Sequence, residues 1–185
     1  MAQKLVDSKV VAVVGHLNSG VTIPASKIYS DAGIVQISPS STNPEYTKQG
    51  YKTAYRMVGT DAQQGPVLAK FALETLKGKS IAIVDDATQY GKGLADEFEK
   101  KIISSGSKIV IHEATNNKAT DFKAILTNIK AKNPDIILFG GMAATGGPFA
   151  KQAKELGIKA KIIGGDGICS PTLYELAGDA VENIV

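Results

Sequence analysis

Cysteine is nearly missing from this chain of 185 residues: Cys169 stands alone, so neither an internal disulfide nor a cysteine-based zinc site can form. That single residue reads as a small packing residue rather than a nucleophile. Long apolar runs are missing too. Stretches such as Ile136 to Phe139 stop after a few residues, well short of the roughly 18 that a membrane span needs. Charge of one sign does not accumulate either; 21 Lys and Arg against 18 Asp and Glu leave a net +3 with no basic stripe, which excludes nucleic acid as a partner. The N-terminus, Met1 to Lys9, has no apolar h-region and no small-residue cleavage site, so as written it is not a secretory signal, and a mature or truncated chain would fit it. What is present is a 43% hydrophobic content, enough for the core of one ordinary domain or two small lobes. A soluble, globular protein without membrane insertion is expected.

Short β-branched runs recur, each followed by a turn and a segment with helical spacing: Val10 to Val14, Ile34 to Ile37, Ile81 to Val84, Ile109 to Ile111, Ile136 to Phe139 and Ile162 to Ile163. The alternation predicts βα units and parallel sheet. Runs that are apolar on consecutive residues predict strands covered on both faces, hence a doubly wound α/β fold. A helix over 62–76 behind Asp61 as N-cap would bury Val67, Leu68, Phe71, Ala72 and Leu76, and one over 121–130 behind Thr120 or Asp121 would bury Phe122, Ile125, Leu126 and Ile129. Between Ser38 and Gly59 the rhythm breaks into Pro39, a Ser-Ser-Thr-Asn-Pro cluster and Gly50. The extended run Tyr55 to Val58 that follows reads as a crossing between two lobes, 1–60 and 61–185, the first with too few strands to be complete.

In parallel α/β sheets ligands sit outside the carboxyl ends of the strands. Four loops lie there. Gly15 to Thr22 imitates the spacing of a phosphate loop, but Val21 stands where lysine is required. What remains is a small-residue loop opening a helix near Ile23-Pro24, whose free N–H groups and Ser19 hydroxyl suit a carboxylate; a plain βα turn would look the same. Ile37 to Pro44 offers hydroxyls and carbonyls together, as a zwitterion needs, although serine-rich turns also arise for local reasons. Gly164 to Ile168 sets Asp166 between glycines, fit for an ammonium or for an Asx turn. Gly140 to Gly147 lacks the dinucleotide spacing. Catalysis finds little support: His112 ends a strand-like run, His16 has no nucleophile elbow beside it, and the acidic pair Asp85-Asp86 has no third ligand for magnesium.

Taken in order, Gly15-His-Leu-Asn-Ser19, Pro24-Ala-Ser26, Ile37-Ser-Pro39, Thr42, Pro44-Glu45, Gln64-Gly-Pro66, Gln89-Tyr-Gly91, Gly140-Gly141, Gly164 with Asp166, and Ala177-Gly-Asp179 resemble the periplasmic leucine/isoleucine/valine-binding proteins of ABC importers, across nearly the whole chain. The resemblance implies a two-lobed type I periplasmic-binding-protein fold, with 1–60 part of the first lobe and 61–185 a nearly complete second. It implies no enzyme activity and no cofactor, a periplasmic or lipid-anchored extracellular location, an amino-acid ligand and an ABC permease as partner. Position by position it carries carboxylate binding to Ser19 and Thr42, a backbone carbonyl contact to Ser40, a closing tyrosine to Tyr90 and the acidic ammonium partner to Asp166. Met142 stands where the family has a second pocket tyrosine, Asp166 where it has glutamate, and Asn18 where it has a disulfide cysteine. The alternatives are an amide or aromatic acid as ligand, a sensory receptor domain of the same fold, or an α/β enzyme using Asp85, Asp86 or His16.

Overall fold

The computed structural model, which describes every residue from Met1 to Val185, turns the β-branched runs into strands that pair only in parallel. The chain divides into two compact units, Met1–Gln63 and Gln64–Val185.

The first unit runs α1 (Ala2–Asp7), β1 (Ala12–Val14), α2 (Ser19–Asp31), β2 (Val35–Ser38), α3 (Glu45–Lys48) and β3 (Ala54–Arg56), and ends in the first residues of α4 (Asp61–Lys70). Its sheet has the order β1-β2-β3. In a parallel pair, residues in register share a face, so Val13, Gln36 and Ala54 lie together and Ala12, Val35, Val14, Ile37 and Tyr55 lie on the other side. The first face is packed: Ala2, Ala25, Tyr29 and Ile34 form a core with Leu5, Val6, Val10, Val13 and Ile28 against it. The second is bare, with Val14 79% and Tyr55 52% exposed. Tyr55 and Arg56, the start of the Tyr55–Val58 run, belong to the third strand, β3, which pairs with the free edge of β2.

In the second unit β4 (Ser80–Asp85), β5 (Lys108–Ala114), β6 (Ile136–Gly140) and β7 (Lys161–Gly164) form a sheet of order β5-β4-β6-β7. Both faces are covered, which is why its central strands are apolar on consecutive residues. Ile81, Ile83, Ile136 and Leu138 pack with Ala95, Phe98 and Ile102 of α5 (Gln89–Ser104) and with Ala69 and Ala72. Ala82, Val84, Ile137 and Phe139 face the other way, onto residues of α6 (Lys123–Lys132), α7 (Ala143–Glu155) and α8 (Pro171–Ala177).

Two helix expectations need correction. Val67 is 67% exposed rather than buried. A Cβ on Gly65 would stand 2.7 Å from the Phe98 amide nitrogen, so α4 packs on α5 along Gly65, Ala69 and Ala72, and Val67 faces outward. The α4 register also shifts at a π-helical turn, Phe71–Thr75. α2 begins at Ser19, earlier than Ile23-Pro24, and carries Pro24 inside it; the missing proline N–H removes one intrahelical bond there.

Candidate functional site

In the first unit the loops after β1 and β2 are held by hydroxyl groups. The His16 carbonyl accepts from Ser38 Oγ (2.8 Å), Thr22 Oγ1 (3.1 Å) and Ser41 Oγ (3.3 Å), and the Ser41 hydroxyl also reaches the Leu17 carbonyl at 3.1 Å. Three further residues stand around this network. Ser19, fully buried at the start of α2, accepts from the Asn43 N–H at 3.2 Å. Thr42 is 3% exposed, and its Oγ1 is buried without any hydrogen-bond partner. Ser40 is half-buried and follows the strand end; its N–H leans on Ser38 Oγ at 3.4 Å. Asn18 is the N-cap of α2, but its side chain makes no capping bond, so the first amides of that helix have no side-chain acceptor. His16 is taken up locally: it stacks on Tyr29 and its Nε2 meets the Tyr29 hydroxyl at 3.0 Å, while burial, followed by the nearby N-terminal charge, lowers its pKa.

In the second unit the strand order reverses between β4 and β6, the place where open α/β sheets form a crevice at the carboxyl ends. Tyr90 follows β4, Met142 follows β6 and Asp166 follows β7. Thr88 caps α5 by accepting from the Gly91 N–H, and its own N–H (3.0 Å) and hydroxyl (2.6 Å) donate to the Asp86 carboxylate. That cap fixes Tyr90 in the first turn. The Tyr90 hydroxyl then donates to Asp166 Oδ1 at 2.9 Å and accepts from the Gly167 N–H at 2.8 Å. On its other side the Asp166 N–H donates to Gln64 Oε1 at 3.3 Å. The glycines flanking Asp166 are required by this closeness. A Cβ at Gly165 would collide with Gln64 Oε1 and stand 2.9 Å from the Tyr90 hydroxyl, and one at Gly167 would stand 2.7 Å from both that hydroxyl and the Gly141 carbonyl. Met142 is partly exposed and serves as N-cap of α7.

Each expected site residue therefore lies at a strand's carboxyl end: Ser19, Ser40 and Thr42 together in the first unit, Tyr90, Met142 and Asp166 in the second. The residues suspected of catalysis are occupied otherwise. His112 lies between Asp85 Oδ2 (2.9 Å) and Glu99 Oε2 (2.7 Å). Its bond to Asp85 raises its pKa against the effect of burial, with Glu99 adding to the rise. Burial pushes Asp85 up, but the bonds from His112 and the Ala87 N–H outweigh it and leave its carboxyl lowered. Asp86 is raised by burial, which its Thr88 bonds only partly offset. Cys169 is exposed and packs no core. Sequence reasoning missed Arg56 and the contact of Gln64. Arg56 contacts a loop distant in sequence and no local motif marks it, whereas Gln64 stands in the Gln64-Gly-Pro66 motif but its bond from the Asp166 N–H is not legible there.

The whole chain, residues 1–185, matches the family described as periplasmic binding protein. It is 42% identical over 185 residues to the Leu/Ile/Val-binding protein homolog 1 of Brucella abortus, covering 100% of this chain and 50% of the relative. To the leucine-, isoleucine-, valine-, threonine-, and alanine-binding protein of Pseudomonas aeruginosa it is 39% identical, with the same coverage of 100% and 50%. Among solved structures, a leucine binding protein from Thermotoga maritima superposes with a TM-score of 0.93 at 30% identity, over 97% of this chain and 51% of that one. A branched-chain amino acid transporter substrate binding protein from Streptococcus pneumoniae, solved in complex with isoleucine, gives 0.89 at 33% identity, over 99% and 52%. The chain thus spans about half the length of the curated relatives it matches. With parallel α/β units of matching fold and a family match that extends from Met1 to Val185, the chain belongs to the periplasmic binding protein family.

Proposed function

We propose that the full-length gene product captures a branched-chain or similar α-amino acid between two lobes, outside the cytoplasm, and hands it to an ABC permease without covalent chemistry. The observation that carries this reading is the buried, unpartnered Thr42 hydroxyl. A buried hydroxyl without a partner costs roughly 1–3 kcal/mol, a penalty that a ligand carboxylate would remove. Ser19 and the uncapped amides of α2 stand in the same unit, where they suit that carboxylate, and the Ser40 carbonyl is available for the ammonium.

Asp166, exposed and oriented by the Tyr90 hydroxyl, which the Gly167 N–H holds in turn, supplies a carboxylate for the ammonium, and Tyr90 closes over the ligand. Met142, in place of an aromatic wall, gives an adaptable side-chain pocket, so the α-amino-acid class is held more strictly than the side chain. The three-stranded sheet with one bare face supports reading 1–60 as part of a first lobe, and the four-stranded sheet covered on both faces supports reading 61–185 as most of a second. The periplasm, or the outer face of a lipid-anchored cell envelope, is the proposed location. The names of the relatives, which bind leucine, isoleucine and valine, support the ligand class. Calorimetric titration of the full-length gene product with leucine, isoleucine, valine and phenylalanine tests it. Saturable one-to-one binding of at least one aliphatic amino acid is expected, and no heat with any amino acid overturns the proposal.

A further inference from the structure

We propose that Arg56 is a positioning residue for the Thr42 half of the site; this rests on the amino-acid-binding reading above. Arg56 ends β3, in register with Ser38 at the end of β2. Its Nη1 donates to the carbonyls of Ser41 (2.9 Å) and Asn43 (2.8 Å), and its Nη2 donates to Thr47 Oγ1 at 2.7 Å. The carbonyl between those two, that of Thr42, accepts from the Asp61 N–H at 2.9 Å. Three successive carbonyls are therefore claimed by the segment that leads from β3 into α4. No backbone N–H donates to the Ser40 carbonyl, one residue earlier, and Thr42 is held with its hydroxyl buried and unpartnered.

The same clamp reaches Ser19 through Asn43. While Arg56 holds the Asn43 carbonyl, the Asn43 N–H donates to Ser19 Oγ. The guanidinium also lies 5.7 Å from the centre of the Tyr46 ring, which limits its own freedom. Burial lowers the Arg56 pKa, and the fully buried Asp61 carboxylate opposes that shift, so the cation keeps a nearby counter-charge. A planar fork with several fixed donors can bridge two carbonyls and a hydroxyl at once; a lysine ammonium cannot reproduce that geometry.

A residue that merely stabilises the fold would weaken binding equally whatever stands at position 42. A positioning residue acts through Thr42, so its effect shrinks when the Thr42 hydroxyl is gone. The test is a double-mutant cycle on leucine affinity in the full-length gene product, with Arg56→Met and Thr42→Val, accompanied by thermal melts. Arg56→Met is expected to weaken leucine binding roughly 10- to 100-fold beside Thr42, but by under about 3-fold beside Val, a coupling of the size seen for groups in one network. Thr47→Val removes one anchor of Arg56 on an exposed residue, with little risk to folding, and is expected to show the same non-additivity at smaller size. Equal losses in both backgrounds, or no loss at all, would overturn the role of Arg56 while leaving amino-acid binding intact. A parent protein that binds no amino acid would overturn the functional reading and this inference together.

Discussion

Thr42→Val should make the unliganded protein more stable and the liganded complex weaker. Valine keeps the β-branched shape and so the χ1 preference, while removing the only polar atom of the side chain. In the free protein that atom is buried and has no partner. Its desolvation costs roughly 1–3 kcal/mol, and replacing it with a methyl group should return on the order of 1 kcal/mol to stability. For a protein of this size that corresponds to a rise in melting temperature of about 2–4 °C. In the complex the hydroxyl donates to a carboxylate, a bond worth roughly 1.5–3 kcal/mol, so leucine affinity should fall by about 10- to 150-fold. Differential scanning calorimetry without ligand and titration calorimetry with leucine read the two effects on the same sample. The opposite signs are the diagnostic feature. A lowered melting temperature with affinity unchanged within about 3-fold would mean that the hydroxyl serves the fold, and the reasoning would fail.

Tyr90→Phe removes one bond to Asp166 and one from Gly167; leucine affinity should drop roughly 10-fold with the fold intact, as read by titration calorimetry and circular dichroism. His112 has a folded pKa above its ordinary 6.5, so its contribution to stability is complete below that value and is lost as pH rises through the folded pKa. Asp85 has a folded pKa below its ordinary 3.8, so its contribution is present above that value and is lost as pH falls through the folded pKa. Melting temperature should therefore decline as pH rises from 6.5 through the raised folded pKa of His112, and His112→Phe should flatten that decline. Val67→Lys should change stability by under about 0.5 kcal/mol in urea unfolding, since the side chain is 67% exposed; a loss of several kcal/mol would return Val67 to the core.

Much of the fold is legible in the sequence because the second sheet is buried on both faces. Ile81 to Val84 and Ile136 to Phe139 must be apolar at every position, and short unbroken runs of β-branched and apolar residues bounded by turns suit a doubly covered strand better than a helix face. β3 is harder to read: Ala54–Arg56 has no apolar run, and it pairs only because β2 offers an edge. The buried face of α4 is misread because its packing is led by Gly65, whose contribution is the absence of a side chain. At the site, the glycines around Asp166 and the hydroxyls after β2 are visible as local composition. Arg56 is not, and of Gln64 only its place in a motif is, because their contacts are to loops 15 and 102 residues away in sequence.

The most direct test is a crystal structure of the full-length gene product grown with leucine. The ligand carboxylate should lie within hydrogen-bond distance of Thr42 Oγ1 and the first amides of α2, with its ammonium against Asp166. Leucine bound elsewhere, or with its ammonium towards Thr42 and its carboxylate towards Asp166, would contradict the proposed site.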